Sequence, residues 1–354
     1  DNITIIPAKN LQDIFLHLKD ERIIPQPQIK EVKVKNDKEI TLEDIVDQEQ
    51  AKRALTIAVA GRHNILLTGP PGTGKTMLAK AALNLLPDLS KNELLEVSKI
   101  HGLVEDIDVS RLRRPFRSPH HTASKTSIIG GGPRALPGEI SLAHMGILFL
   151  DEIPEYQKST LEALRQPLED RKVAISRTKY RSTYPADFML VATMNPCPCG
   201  FYGDPTKQCT CTALQIINYQ RKISGPLLDR IDMVVNVSRI SNQNLLNKRC
   251  KNNNENIKAK EQIKSSIILQ QNRYSSCIKY NSSANISDVK TLFNIEDTAK
   301  KLLDNATLKL DISARSYLKI LKVARTIADL DNSAVIQMSH ISEALQYRHR
   351  QETL

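Results

Sequence analysis

Residues 64–76 read Asn64-Ile-Leu-Leu-Thr-Gly-Pro-Pro-Gly-Thr-Gly-Lys-Thr76, and they decide the fold. The apolar run Asn64 to Leu67 predicts a buried strand, and a helix is expected to begin inside Gly74-Lys75-Thr76. A glycine-rich turn between a strand and a helix is the setting in which backbone N–H groups converge on phosphate oxygens, with the positive end of the helix dipole behind them. On this reading Gly69, Pro70, Pro71, Gly72, Thr73, Gly74, Lys75 and Thr76 cradle a nucleotide. Lys75 reaches the β and γ phosphates, and the Thr76 hydroxyl ligates Mg²⁺.

Outward from this loop, Ile147-Leu-Phe-Leu-Asp151-Glu152 is a second apolar strand ending in two acids. Asp151 is placed to hold the magnesium and Glu152 to polarise an attacking water. A third strand, Phe188 to Ala192, leads to Asn195, a turn residue before Pro196 or a polar group facing the nucleotide. Farther on, Gly225-Pro-Leu-Leu-Asp-Arg230-Ile-Asp232 offers an arginine after an apolar pair, suited to a salt bridge or to a phosphate.

Strands alternating with helices from Thr41 onward, including a helix over Asp47 to Ala60, predict an α/β fold with a mainly parallel sheet covered on both faces. Past Arg239 the chain turns polar and rich in Asn and Lys. It then shows helical spacing in Tyr317, Ile320, Leu321 and Ala324. The expected division is residues 1–30 as a tail of a preceding domain plus linker, 31–240 as the core, and 241–354 as a small all-helical lid. The chain starts without methionine, which suggests that something N-terminal precedes it.

The 354 residues are 40% hydrophobic, enough for a sizeable core, and the apolar runs are too short to cross a bilayer. A cytoplasmic location without membrane partners is the expectation. The formal charge of +11 suits a polyanion such as DNA or simply solvated faces, since Lys and Asn are abundant throughout.

Together the motifs resemble the AAA+ superfamily. Arg114-Pro-Phe-Arg-Ser-Pro-His-His-Thr122, Gly130-Gly-Gly132, Pro137-Gly-Glu139 and Asn195-Pro-Cys-Pro-Cys-Gly200 resemble its magnesium-chelatase-like ComM/YifB family. The similarity is dense from Thr41 to about Ile240 and resumes at Ile312-Ser-Ala-Arg315-Ser and Ala324 to Leu330. The resemblance implies a P-loop core with a helical lid after an N-terminal Lon-protease-like domain. It also implies a homo-oligomeric, hexameric ring that hydrolyses ATP with Mg²⁺ and moves on single-stranded or branched DNA, as a branch-migration helicase of natural transformation.

Carried over by position, Asn195 is the γ-phosphate sensor, Arg230 the finger inserted into a neighbour's site, and Arg315 the second sensor, with Arg325 the weaker alternative for it. The family's Ala-Arg pair is not found around Ser266 to Arg273, a departure that bears on the lid. The alternative function is a protein-remodelling or metal-insertion ATPase like the magnesium chelatase motor. A third reading is an ATP-binding remnant without turnover.

Two insertions carry further chemistry. Lys172 to Thr183 predicts a basic hairpin, with Arg177, Lys179 and Arg181 able to grip phosphates and Tyr180 able to stack, or else a solvated tip. Cys197-Pro-Cys199 and Cys209-Thr-Cys211 form two thiol pairs, the number a closed zinc site needs, or free thiols of a reducing compartment. Cys250 and Cys277 stand apart. Lys125 and the adjacent His120 and His121 are expected to position a loop at a subunit interface; the two histidines are not expected to share an ion, because neighbouring side chains on a regular element diverge.

Overall fold

The structure is a computed structural model, and it describes residues 6–25, 40–105, 112–176, 181–239, 254–276 and 279–348. The chain divides into two units, residues 1–37 and 38–354. In the first, the helix Leu11–Leu18 is capped by the Asn10 side chain, which accepts from the Asp13 N–H.

The second unit is built on a five-stranded parallel sheet. In chain order its strands are β1 (Ile65–Thr68), β2 (Phe116–Arg117), β5 (Ile147–Leu150), β8 (Met189–Met194) and β9 (Met233–Asn236), and their spatial order is β2-β5-β8-β1-β9. A short pair, β3 (Gly130–Gly131) with β4 (Leu136–Pro137), and a hairpin, β6 (Lys172–Ser176) with β7 (Arg181–Pro185), stand outside this sheet. β1, β5 and β8 are apolar and almost wholly buried, as strands covered by helices on both faces must be.

The three strands expected from apolar runs are present. The two edge strands were not anticipated. β2 has two residues, too few for a pattern, and β9 follows directly on Asp232, where Arg230 dominates the reading. The RPFR segment thus forms an edge of the sheet. Arg114 is 9% exposed and donates to the carbonyl oxygens of Pro87 and Met145, while Arg117 pairs with Glu139 at 2.6 and 2.8 Å, tying the Arg114–Thr122 and Pro137–Glu139 segments together.

Among the described residues, five α-helices follow β9: Glu255–Tyr274, Ile286–Leu292, Asp297–Lys309, Ala314–Leu330 and Met338–Gln346. They share one hydrophobic core with the helix Glu49–Gly61 and the Met189 face of the sheet. Polar bonds cross the same boundary: Lys52 to Glu255 at 3.0 Å, and His63 Nε2 to Thr326 Oγ1 at 2.8 Å. The expected boundary near residue 240 lies outside the described residues.

Candidate functional site

The C-terminal ends of β1, β8 and β5 lie side by side in the sheet, and each delivers one part of the expected site. β1 sits between β8 and β9, so the chain leaves its two sides in different directions and opens a crevice at the strand ends. Into this crevice come Gly69 to Thr76 after β1, Asp151 and Glu152 after β5, and Asn195 after β8.

Gly74 caps the helix Lys75–Leu85 from the left-handed region, at φ 84°, where a side chain would be strained. This turn aims the first helical N–H groups into the loop. Lys75 is buried and lies back across the loop, donating to the carbonyls of Gly69 at 2.6 Å and Pro70 at 2.9 Å and to Asn195 Oδ1 at 3.1 Å. Burial pushes its ammonium below the ordinary lysine value, and the charges of Asp151 and Glu152 oppose that shift. Thr76 stands exposed one residue on.

Asp151 and Glu152 are both exposed at the mouth of the crevice. Their orientation rests on Thr193, a fully buried residue of β8 that the sequence reading passed over. Its hydroxyl donates to Asp151 Oδ1 at 2.5 Å and accepts from the Glu152 N–H at 2.9 Å. Glu152 itself sits at φ 48° and ψ 56°, a left-handed conformation that costs a non-glycine residue about 1 kcal/mol or more. Such a position persists only when its surroundings hold it, and the Thr193 bond is one of the holders. A threonine on a strand is an ordinary β-former, so its role carries no sequence signal.

The expected arginines lie elsewhere. Arg230 lies three residues before the start of β9, whose Met233 is in register with Ile65 at the start of β1. Asn64 fastens this end: its Nδ2 donates to the Arg230 carbonyl at 2.9 Å, its backbone N–H donates to Asp232 Oδ2 at 2.9 Å, and its Oδ1 accepts from the Leu190 N–H at 2.9 Å. From Asn64 to Gly69 is five residues of extended chain, about 16 Å. Arg230 therefore stands at the opposite end of the sheet from the loop of its own chain.

There it shares one carboxylate with Arg315. Arg230 donates to Glu169 Oε2 and to the Pro226 carbonyl (2.6 Å), while Arg315 donates to Glu169 Oε1 at 2.8 Å. The bond from Arg230, first, and the charges of both arginines hold the Glu169 carboxyl below the usual range. The buried Arg230 Nε has no hydrogen-bond partner among the described residues. Glu169 is the second residue that the sequence reading missed, and its only signal was a charge near the end of a short helix.

Arg325, the alternative to Arg315, is 1% exposed and spends its donors on Asp329 and on the carbonyls of Ser333 and Ala334. It is a buried structural arginine, not a second sensor.

The four cysteines Cys197, Cys199, Cys209 and Cys211 converge, with their sulfurs all within 4.8 Å of one another. N–H groups, of Phe201 first and then Thr210, hold the Cys199 thiol down to about 5. The hairpin β6–β7 forms as expected, in register from Lys172 opposite Pro185 to Ser176 opposite Arg181. Its base is anchored by the Tyr184 hydroxyl, which donates to the Ala135 carbonyl at 2.8 Å. Arg177, Lys179 and Tyr180 lie outside the described residues, and Arg181 is described only as the first residue of β7. The His120 and His121 rings do not diverge but lie 4.1 Å apart, tilted by 35°, and the neighbouring Pro119 carbonyl accepts from the Tyr156 hydroxyl at 2.6 Å.

Residues 41–245 match the family model described as magnesium chelatase, subunit ChlI, and residues 252–348 match that of its C-terminal part. Among curated proteins, the YifB protein of Escherichia coli is 40% identical over 343 residues, 96% of this chain and 66% of its own length. The competence protein ComM of Haemophilus influenzae is 39% identical over 348 residues, 96% of this chain and 67% of its own. A more distant match is the magnesium-chelatase 67 kDa subunit of Chlorobaculum parvum, 25% identical over 161 residues. The chain thus spans about two thirds of the length of the first two relatives.

Proposed function

This chain belongs to the AAA+ family of the magnesium chelatase subunit ChlI, with the ComM/YifB proteins as relatives, and from that premise we propose that it is an ATP-hydrolysing ring motor acting on DNA. The observation that carries the reading is the separation of two half-sites. One end of the sheet holds the phosphate loop, Asp151, Glu152 and Asn195. The other end holds Arg230 and Arg315, with an unsatisfied Arg230 Nε. A transition state of phosphoryl transfer needs cationic charge at its γ-phosphate. With Arg230 at the far end of β1, about 16 Å of extended strand from the loop of its own chain, and Arg315 beside it on Glu169, a second copy supplies them most directly. Repetition of that head-to-tail contact closes a ring, which we take to be a hexamer as in the resemblance.

In this reading Lys75 leaves the Gly69 and Pro70 carbonyls for the β and γ phosphates. Thr76 and Asp151 hold Mg²⁺, Glu152 orients the attacking water, and Asn195 follows the γ-phosphate. Thr193 keeps both acids aimed as charge develops, so that little reorganisation is needed. The similarity to ComM, the charge of +11 and the basic β6–β7 hairpin support DNA as the track, with branch migration as the activity.

The second reading, a protein-remodelling or metal-insertion ATPase, is favoured by the family model's description and by the Chlorobaculum subunit. ATP turnover with Mg²⁺, measured with and without branched and single-stranded DNA and with Glu152→Gln as control, separates the two. DNA stimulation that weakens with salt is expected. Turnover indifferent to every DNA tested transfers the proposal to a protein client.

A further inference from the structure

The four-cysteine cluster lies outside the nucleotide chemistry, yet it touches the phosphate loop. Its sulfurs stand 3.3 Å (Cys197 to Cys199), 3.7 Å (Cys197 to Cys209) and 3.5 Å (Cys199 to Cys209) apart, and Cys211 completes a group within 4.8 Å. A tetrahedral ion with metal–sulfur bonds of 2.3 Å sets its ligand sulfurs about 3.8 Å apart. All four cysteines are free of disulfides, and Cys197 is fully buried. Further backbone groups point at the sulfurs: the Cys199 N–H at Cys211 Sγ (3.4 Å) and the Tyr202 N–H at Cys197 Sγ (3.3 Å). N–H donors of this kind stabilise thiolates and orient them on a metal. Four sulfur donors at these distances make up the closed tetrahedral set of a single structural ion.

The loop that carries the sulfurs presses on the nucleotide site at two points. Cys197 follows Asn195 by two residues, and Asn195 accepts from Lys75. Gly200, at φ 84°, lies so close to Pro71 of the phosphate loop that a Cβ there would fall 2.6 Å from the proline Cδ. Glycine is required both for the dihedral and for the approach. Gln220 also ties the segment down, donating to the Pro196 carbonyl at 3.2 Å.

We propose that Cys197, Cys199, Cys209 and Cys211 hold one Zn²⁺ in a closed structural site, and that this ion braces Asn195 and the Pro70-Pro71 wall of the phosphate loop through the Gly200–Pro71 contact. The metal assignment stands on the sulfur geometry alone; the bracing rests on the nucleotide reading above. The zinc ties the residues between β8 and the helix Ala213–Gln220 into a rigid plate behind the loop, and its loss frees that plate and weakens nucleotide affinity.

The first test is metal analysis of the full chain purified from zinc-supplemented medium without chelator. One zinc per chain is expected, with the visible bands of a tetrahedral thiolate centre on replacement by Co²⁺. Less than a tenth of an equivalent, an iron–sulfur absorption, or four thiols that react at once with Ellman's reagent in the native protein would overturn the site. The paired substitution Cys209→Ser with Cys211→Ser should abolish metal retention.

The bracing is tested in Gly200→Ala, which leaves all four ligands in place. It should keep its zinc and bind a fluorescent ATP analogue at least about tenfold more weakly. Wild-type affinity in that variant removes the bracing and leaves the metal site. Zinc in a wild-type chain that binds no nucleotide removes the ATPase reading, and the bracing with it.

Discussion

The two ends of the central sheet are finished to different degrees. At the C-terminal ends of β1, β5 and β8, the main groups of the proposed ATP site are already held by neighbours: Lys75 by two carbonyls and Asn195, and the Asp151 carboxylate and Glu152 N–H by Thr193. At the other end, Arg230 and Arg315 share one carboxylate whose side chain is 51% exposed, with the Pro226 carbonyl as a further partner of Arg230. One half is organised by strand order, which a single chain fixes. The other is organised around the exposed Glu169 carboxylate, which on the proposed reading stands in for a phosphate from another copy. On the proposed reading, the difference teaches that the chain carries two complementary half-sites, of which the cationic one is provisional.

The largest effect expected on this contrast is that of Arg230→Ala, a loss of about 10³- to 10⁵-fold in turnover with nucleotide binding retained. Glu152→Gln should come next, losing about 10²- to 10⁴-fold while still binding ATP. Mixing the two inactive proteins sharpens the comparison. Some interfaces then combine an intact Glu152 with an intact Arg230, and turnover should reappear. A mixture as inactive as its parts would mean that each chain completes its own site.

A smaller effect separates two arginines of one helix. Arg325→Leu should lower stability by about 3 kcal/mol, read in urea, because it strips buried partners from Asp329 and two carbonyls. Arg315→Leu should leave the urea midpoint near wild type and reduce turnover instead. The reverse pattern would break the assignment of Arg325 as structural.

The smallest effect concerns the stand-in itself. Exposed ion pairs contribute about 1 kcal/mol or less. Glu169→Gln should therefore lower the protein concentration needed for half-maximal turnover by no more than about fivefold. Because the folded carboxyl titrates below its ordinary value, its contribution is complete above that value and is lost only as pH falls through the lowered one. The concentration dependence of wild type should accordingly be flat across neutral pH, and a strong change there would point to another group.

The phosphate-loop end of the site was legible in the sequence because its chemistry is local. A glycine-rich turn after an apolar strand and a pair of acids after another are short patterns whose spacing is set by the backbone. The strands between them announced a parallel sheet for the same reason. The β6–β7 hairpin and the pairing of the cysteine motifs were likewise expected from spacing, and the sulfurs do converge.

What only the tertiary structure decided are relations between residues far apart in the chain. Thr193 orients acids some forty positions earlier, Glu169 gathers Arg230 with Arg315, Gly200 meets Pro71, and Arg325 turns inward while Arg315 on the same helix turns out. None of these leaves a periodic or local trace. Each depends on which strand lies beside which, and strand order is settled by packing the whole core, not by any segment's own preference.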